Sequence, residues 1–169
     1  MRPIKELFDY NSSSMINWTK EENLHLTFLF IGSIEFKYIK EIKNSLLNNL
    51  KGITPFYIQI GECGIFRKKR NRNILWLKVR NNESLMILQK GIEDSINMIL
   101  SPDMEINHDK YSPHITIARY KRNMHIDPEL INNQTNYKDQ KFIISEVQII
   151  ESRSGKNGIE YIPLYTISL

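Results

Sequence analysis

Residues Glu22 to Gly32 read ENLHLTFLFIG, and Tyr111 to Tyr120 read YSPHITIARY. Each stretch sets a His-x-Thr inside an apolar run rich in β-branched and aromatic residues, the composition of a strand. Residues i and i+2 of a strand point to one face. His25 therefore projects with Thr27, and His114 with Thr116. Leu24, Leu26 and Phe28 in one stretch, Ile115 and Ile117 in the other, pack on the opposite side or flank the pair. One His-x-Thr says little, because a lone strand histidine is usually satisfied by a backbone carbonyl. Two copies, each led by a turn-like element (KEEN and YSP), raise the question of one shared site.

The elements around them predict the fold. Residues 24–31 read as a strand ended by Gly32-Ser33. From Glu35 to Leu50, apolar residues at 36, 39, 42, 46, 47 and 50 recur at helical spacing, with Ser33 as N-cap and Gly52 as stop. PFYIQIG at 55–61 and NILWLKVR at 73–80 read as strands joined by the loop ECGIFRKKRNR. A second helix is expected from about Ser84 to Leu100 and a polar loop over 103–110, before the second His-x-Thr strand continues through Ile115–Tyr120. Asp127-Pro128-Glu129 opens a short helix to about Asn133. Residues 141–151 and 158–169 form a last strand pair around the turn SRSGKNG. The order β-α-β-β-α-β-(α)-β-β favours an α+β fold with largely antiparallel sheets. Each His-x-Thr strand is followed by helix and then strand. That echo predicts one domain, 1–169, of two related lobes, with the two motif strands side by side about an approximate two-fold.

The gross numbers set bounds. A chain of 169 residues, 41% hydrophobic and 25% charged, is ordinary for one globular domain with its own core. No window approaches a membrane span, and MRPIKELFDYNSSS lacks the apolar segment of a signal peptide. The single cysteine, Cys63, permits no internal disulfide and fits a reducing compartment, so the expected location is the cytoplasm. A net charge of +4 permits a phosphate-bearing partner without demanding one.

Two imidazoles and two hydroxyls converging on one place suit a phosphodiester. One neutral imidazole takes a proton from water, and the other, as imidazolium, gives one to the departing ribose oxygen. An unperturbed pKa of about 6.5 lets both forms exist near neutrality. Threonine hydroxyls can donate to the non-bridging oxygens, where charge builds. This scheme needs neither metal nor cofactor.

At these residues the chain resembles the two-histidine (2H) phosphoesterases. WTKEENLHLTFLFIG at 18–32 and PHITIAR at 113–119 look like the two signature segments, with further similarity in GIFRKKRNRNILWLKV at 64–79 and ESRSGKNGIEYIPL at 151–164. The nearest subgroup in kind is that of RNA 2′,3′-cyclic phosphodiesterases, also called 2′-5′ RNA ligases. The resemblance implies a bilobal α+β fold with a cleft between lobes, His25 and His114 as acid and base, and Thr27 and Thr116 on the phosphate. It adds Arg119 as a phosphate ligand. Positions 114 and 119, however, face opposite sides of a regular strand, so Arg119 reaches the site only if the strand bends or ends. The implied substrate is RNA ending in a 2′,3′-cyclic phosphate, such as tRNA fragments or small nucleotides, with no obligate protein partner. The alternatives are an RNA-binding module of the same fold without catalysis, and a phosphodiesterase for 2′-5′ oligoadenylate or nucleotide cyclic phosphates. Relatives place a strand and a full helix before the first motif, whereas only 17 residues precede Trp18. IKELFDYNSSSMIN then reads as a helix tail with the opening strand missing, from a shortened member or a truncated start.

Arg67, Lys68, Lys69 and Arg70 belong to a basic run that either tracks an RNA backbone or forms a solvated loop. Phe66 stacks on a base or anchors that loop, and Tyr111 lines the site or sits in the core. His108 and His125 read as surface residues, Trp18 and Trp76 as core, and no zinc spacing is present.

Overall fold

A computed structural model of the chain describes residues 2–6, 15–67, 72–80, 82–100, 111–155 and 158–169. Among them, no helix is long and apolar enough to cross a membrane. The chain divides into two compact units. The first comprises 1–27, 59–80 and 112–142, and the second 28–58, 81–111 and 143–169.

The first unit is built on an antiparallel sheet of β1 (Ile16–Trp18), β2 (Phe56–Phe66), β3 (Asn73–Val79), β4 (His114–Tyr120) and β5 (Lys141–Ile144), in the order β1-β4-β3-β2-β5. β2 and β5 extend beyond this unit into the second. β3 shows why the sheet has two unlike faces. Asn73, Leu75, Leu77 and Val79 are buried, whereas Ile74, Trp76 and Lys78 are partly or fully exposed. Period-two alternation thus gives one face to a core and the other to solvent. On the core side β4 contributes Ala118 and Tyr120, each at most 1% exposed. The four-residue helix α1 (Arg2–Lys5) buries Ile4, and α4 (Pro128–Gln134) buries Ile131. Asp127 caps α4, its carboxylate accepting the Glu129 N–H at 2.9 Å, with Pro128 following where its missing N–H costs nothing.

The second unit packs α2 (Phe36–Asn49) and α3 (Glu83–Asn97) with the hairpin β6 (Glu146–Gly155) and β7 (Gly158–Ser168). Its core joins Ile42 and Leu46 of α2, Leu88 and Ile92 of α3, Val147 and Ile149 of β6 and Ile167 of β7. Asn82 caps α3 by accepting the Leu85 N–H at 2.8 Å. Gly52, at φ +91°, supplies the left-handed residue just past α2.

Several expectations are corrected. Residues 24–31 do not form a regular strand; a single antiparallel bridge, Leu26 to Ile115, ties them to β4. A 3₁₀ turn at Glu21–Asn23 shifts the chain between β1 and that bridge, so a ladder cannot run through. Glu62 to Phe66 belong to β2 rather than to a loop, because Cys63 to Phe66 pair with β3. The expected strand 141–151 is two strands that break at Ser145 and enter different sheets. Ser33 does not cap α2; Glu35 takes that position without a side-chain bond. Of the expected helix tail over residues 4–17, Ile4 and Lys5 are helical, Ile16 and Asn17 are strand instead, and residues 7–14 lie outside the described residues. β1 is an edge of the sheet.

Candidate active site

The Leu26–Ile115 bridge fixes where the motif residues stand. Partners directly opposite in an antiparallel pair share a face, and their neighbours take the other. A regular register carried one step to either side of the bridge would set His25 opposite Thr116, and Thr27 opposite His114. In that register all four side chains would project from one side of the pairing, and Leu26 and Ile115 from the other. The histidines stand at the diagonal positions, for which regular antiparallel spacing is roughly 7–8 Å. Both lie within the first unit and are partly exposed.

The rings are held alike. Nδ1 of His25 lies 2.8 Å from the Asn23 carbonyl, and Nδ1 of His114 lies 2.8 Å from the Ser112 carbonyl. A carbonyl oxygen can only accept, so each Nδ1 carries a proton and each Nε2 is the nitrogen that gains or loses one. In both cases the acceptor is two residues earlier, in the turn that leads the motif. The repeated turn in the sequence is thus a repeated orienting bond.

Arg119 joins the same face through a bulge. Leu75 pairs with Ala118, but Trp76 pairs with Thr116, so β4 carries one extra residue at Ile117. Ile74, Trp76 and Lys78 alternate on one face of β3, and their partners are Arg119, Thr116 and His114. The insertion offsets the odd spacing and turns Arg119 to the side of the His-x-Thr pair, as bulges do beside functional sites.

An aromatic cluster abuts His114. Phe66 meets the imidazole edge-on at 5.0 Å and 87°, and stacks on Trp76 at 4.9 Å and 30°. Trp76 lies 6.1 Å from the imidazole. The indole lies across Gly64, its partner on β2: a Cβ there would stand 2.3 Å from Trp76 Cζ2. Glycine is required by close approach. Trp76 is thus corrected from core to site face, where only its ladder partners reveal it. Sequence reading gave Trp76, Gly64 and Lys78 no role, and only the reach of GIFRKKRNRNILWLKV pointed at them.

Other candidates fall elsewhere. Arg67 is exposed, follows the last paired residue of β2 and acts electrostatically on Tyr120, a core-face residue. Lys68, Lys69, Arg70 and His108 lie outside the described residues. Tyr111 belongs to the second unit and stacks on Phe28 at 5.9 Å; burial raises its hydroxyl pKa. His125 is exposed. Cys63 is buried and its thiol is pushed up to about 12 by burial. No cluster of three or more His, Cys, Asp or Glu side chains suited to a metal occurs among the described residues.

An antiparallel α+β fold with paired His-x-Thr segments on one side defines a two-histidine phosphoesterase by class. The model of the 2′-5′ RNA ligase superfamily matches residues 5–156, and the chain belongs to that superfamily. It is 30% identical over 159 residues to the RNA 2′,3′-cyclic phosphodiesterase of Methanothermobacter thermautotrophicus, covering 92% of this chain and 82% of that one. It is 34% identical over 104 residues to the Thermotoga maritima protein of the same name, covering 62% and 54%. Among solved structures, TT0787 of Thermus thermophilus superposes with a TM-score of 0.81 at 18% identity, over 99% of this chain and 88% of that one. Escherichia coli LigT complexed with 3′-AMP gives 0.69 at 19% identity, over 96% and 84%.

Proposed function

We propose that the chain is an RNA 2′,3′-cyclic phosphodiesterase that opens a cyclic phosphate end to a 2′-phosphate. The observation that carries this reading is the Leu26–Ile115 bridge, which brings the two His-x-Thr segments together. The names of the 30% and 34% identical relatives support the substrate class.

In this reading His114 Nε2 takes a proton from water as its oxygen attacks phosphorus. The bond from phosphorus to the ribose 3′-oxygen breaks, and the His25 imidazolium delivers a proton from Nε2 to that oxygen. The product keeps the 2′-phosphate and gains a 3′-hydroxyl. The assignment of base and acid follows family likeness. Thr27, Thr116 and Arg119 donate to the non-bridging oxygens, where charge grows in the transition state. Protonated Nδ1 atoms hold both rings with Nε2 toward the reaction, which limits the reorientation each turnover needs. The set requires no metal. With an RNA 5′-hydroxyl in place of water, the same ring opening forms a 2′-5′ bond and frees the 3′-hydroxyl.

The test is incubation with a 2′,3′-cyclic mononucleotide and with RNA bearing the same end, followed by phosphorus NMR. A 2′-phosphate is the expected product. A 3′-phosphate rejects the proposed bond cleavage, and no product while RNA still binds rejects the reading and leaves an RNA-binding module.

A further inference from the structure

Two buried N–H donors in the first unit, Arg72 Nη1 and Trp76 Nε1, have no hydrogen-bond partner among the described residues, and neither has the buried Tyr111 hydroxyl in the second unit. Both belong to the site face. Asn73 is 5% exposed on the core face, and Ile74 pairs with Arg119 on the other. By alternation Arg72, just before β3, stands on the site face, two residues beyond Ile74.

The face therefore presents cations in a line. Arg72 comes first, Arg119 next opposite Ile74, then Thr116 opposite Trp76 and His114 opposite Lys78. At about 3.4 Å per residue, Arg72 stands roughly 13 Å along the strand from the Trp76–Thr116 row. That is too far for the reacting phosphate but lies along the path of a chain attached to it. Arg72 as a whole is only partly buried, while its Nη1 is buried. An unmatched buried donor on a charged group is costly, and the planar fork of arginine fits two phosphate oxygens.

We infer that Arg72 forms a second anion subsite, which takes a phosphodiester of the RNA strand leading up to the cyclic end. The enzyme then prefers oligonucleotide ends to cyclic mononucleotides. This deepens the phosphodiesterase reading and rests on it for the identity of the strand.

The experiment compares kcat/KM for a 2′,3′-cyclic mononucleotide and for a tetranucleotide with the same terminal cyclic phosphate. Wild type is expected to favour the tetranucleotide, and Arg72→Gln to lower that preference about tenfold, as loss of a charge-assisted phosphate bond does. The slope of log affinity against log salt should fall by about 0.7, the single-strand value for one phosphate contact, and Arg72→Lys should restore it. A preference and salt slope equal to wild type in Arg72→Gln overturn the subsite. If wild type hydrolyses neither substrate, the phosphodiesterase reading fails by itself. Fluorescence anisotropy with a tetranucleotide ending in a 2′-phosphate then decides the subsite. Weaker, less salt-dependent binding by Arg72→Gln supports it, and equal binding overturns it.

Discussion

Leu26 and Ile115 meet across a single antiparallel bridge, and that pairing brings the two His-x-Thr segments side by side. The partners are 89 residues apart in sequence. A one-residue slip would turn one motif to the core side and part the imidazoles.

Replacing either histidine by alanine is expected to lower kcat by about 10²–10⁴-fold, the usual worth of a positioned acid or base. RNA affinity should change little, because neither ring supplies the main phosphate charge. The pH–rate profile should be a bell whose limbs belong to the pair rather than to one residue. Steady-state kinetics of both variants and of the double variant check this, and near-normal turnover in the double variant would end the acid–base reading.

The Ile117 bulge turns Arg119 to the face of β4 that carries Thr116 and His114. Arg119→Gln is expected to lower kcat/KM about tenfold or more, with Arg119→Lys recovering part of the loss. Wild-type kinetics in Arg119→Gln would mean that the guanidinium faces the substrate without touching it.

Gly64→Ala drives a methyl group into the Trp76 indole. The indole must move, and Phe66 and His114 with it. The expected cost is about 1–3 kcal/mol of stability, as for other overpacked sites, together with a loss of kcat. Urea unfolding measures the first, and Gly64→Ala with Trp76→Leu should recover stability without recovering kcat.

Turnover should survive exhaustive dialysis against a chelator, since two imidazoles supply both proton transfers. Loss of activity that returns with a divalent cation would replace this mechanism with metal-assisted hydrolysis.

Stability should fall as pH rises from about 9 toward 12. Burial raises the Cys63 thiol from 9.0 to about 12, and burial raises the Tyr137 hydroxyl from 10.0 to about 12. Below pH 9 both groups are protonated in the folded and unfolded chains, so neither makes stability depend on pH. Above it the unfolded chain releases protons that the folded chain keeps. Unfolding then gains at most about 1.4 kcal/mol per pH unit from each group. The Cys63 N–H donates to Asn132 Oδ1 at 2.7 Å and to the Tyr137 hydroxyl at 2.9 Å, so the cluster ties β2 to α4. Denaturation midpoints from pH 8 to 12 for wild type and Cys63→Ala test this, and equal slopes would remove the thiol from the account.

The sequence by itself determined the local matters. α2 and α3 were legible because apolar residues at helical spacing need only their own turn of chain. The strand that carries His114 and Thr116 was legible because neighbouring residues set the period of an extended segment. Tertiary structure alone decided the matters of register. Whether 24–31 would form a ladder or a single bridge depended on the turn at Glu21–Asn23 and on the strand it met. Which side Arg119 took depended on an inserted residue visible only against Leu75 and Trp76. The face of Trp76 depended on a glycine on the neighbouring strand leaving it room. Such choices are made by hydrogen bonds and contacts between residues distant in the chain, and no local pattern encodes which distant partner a strand will find.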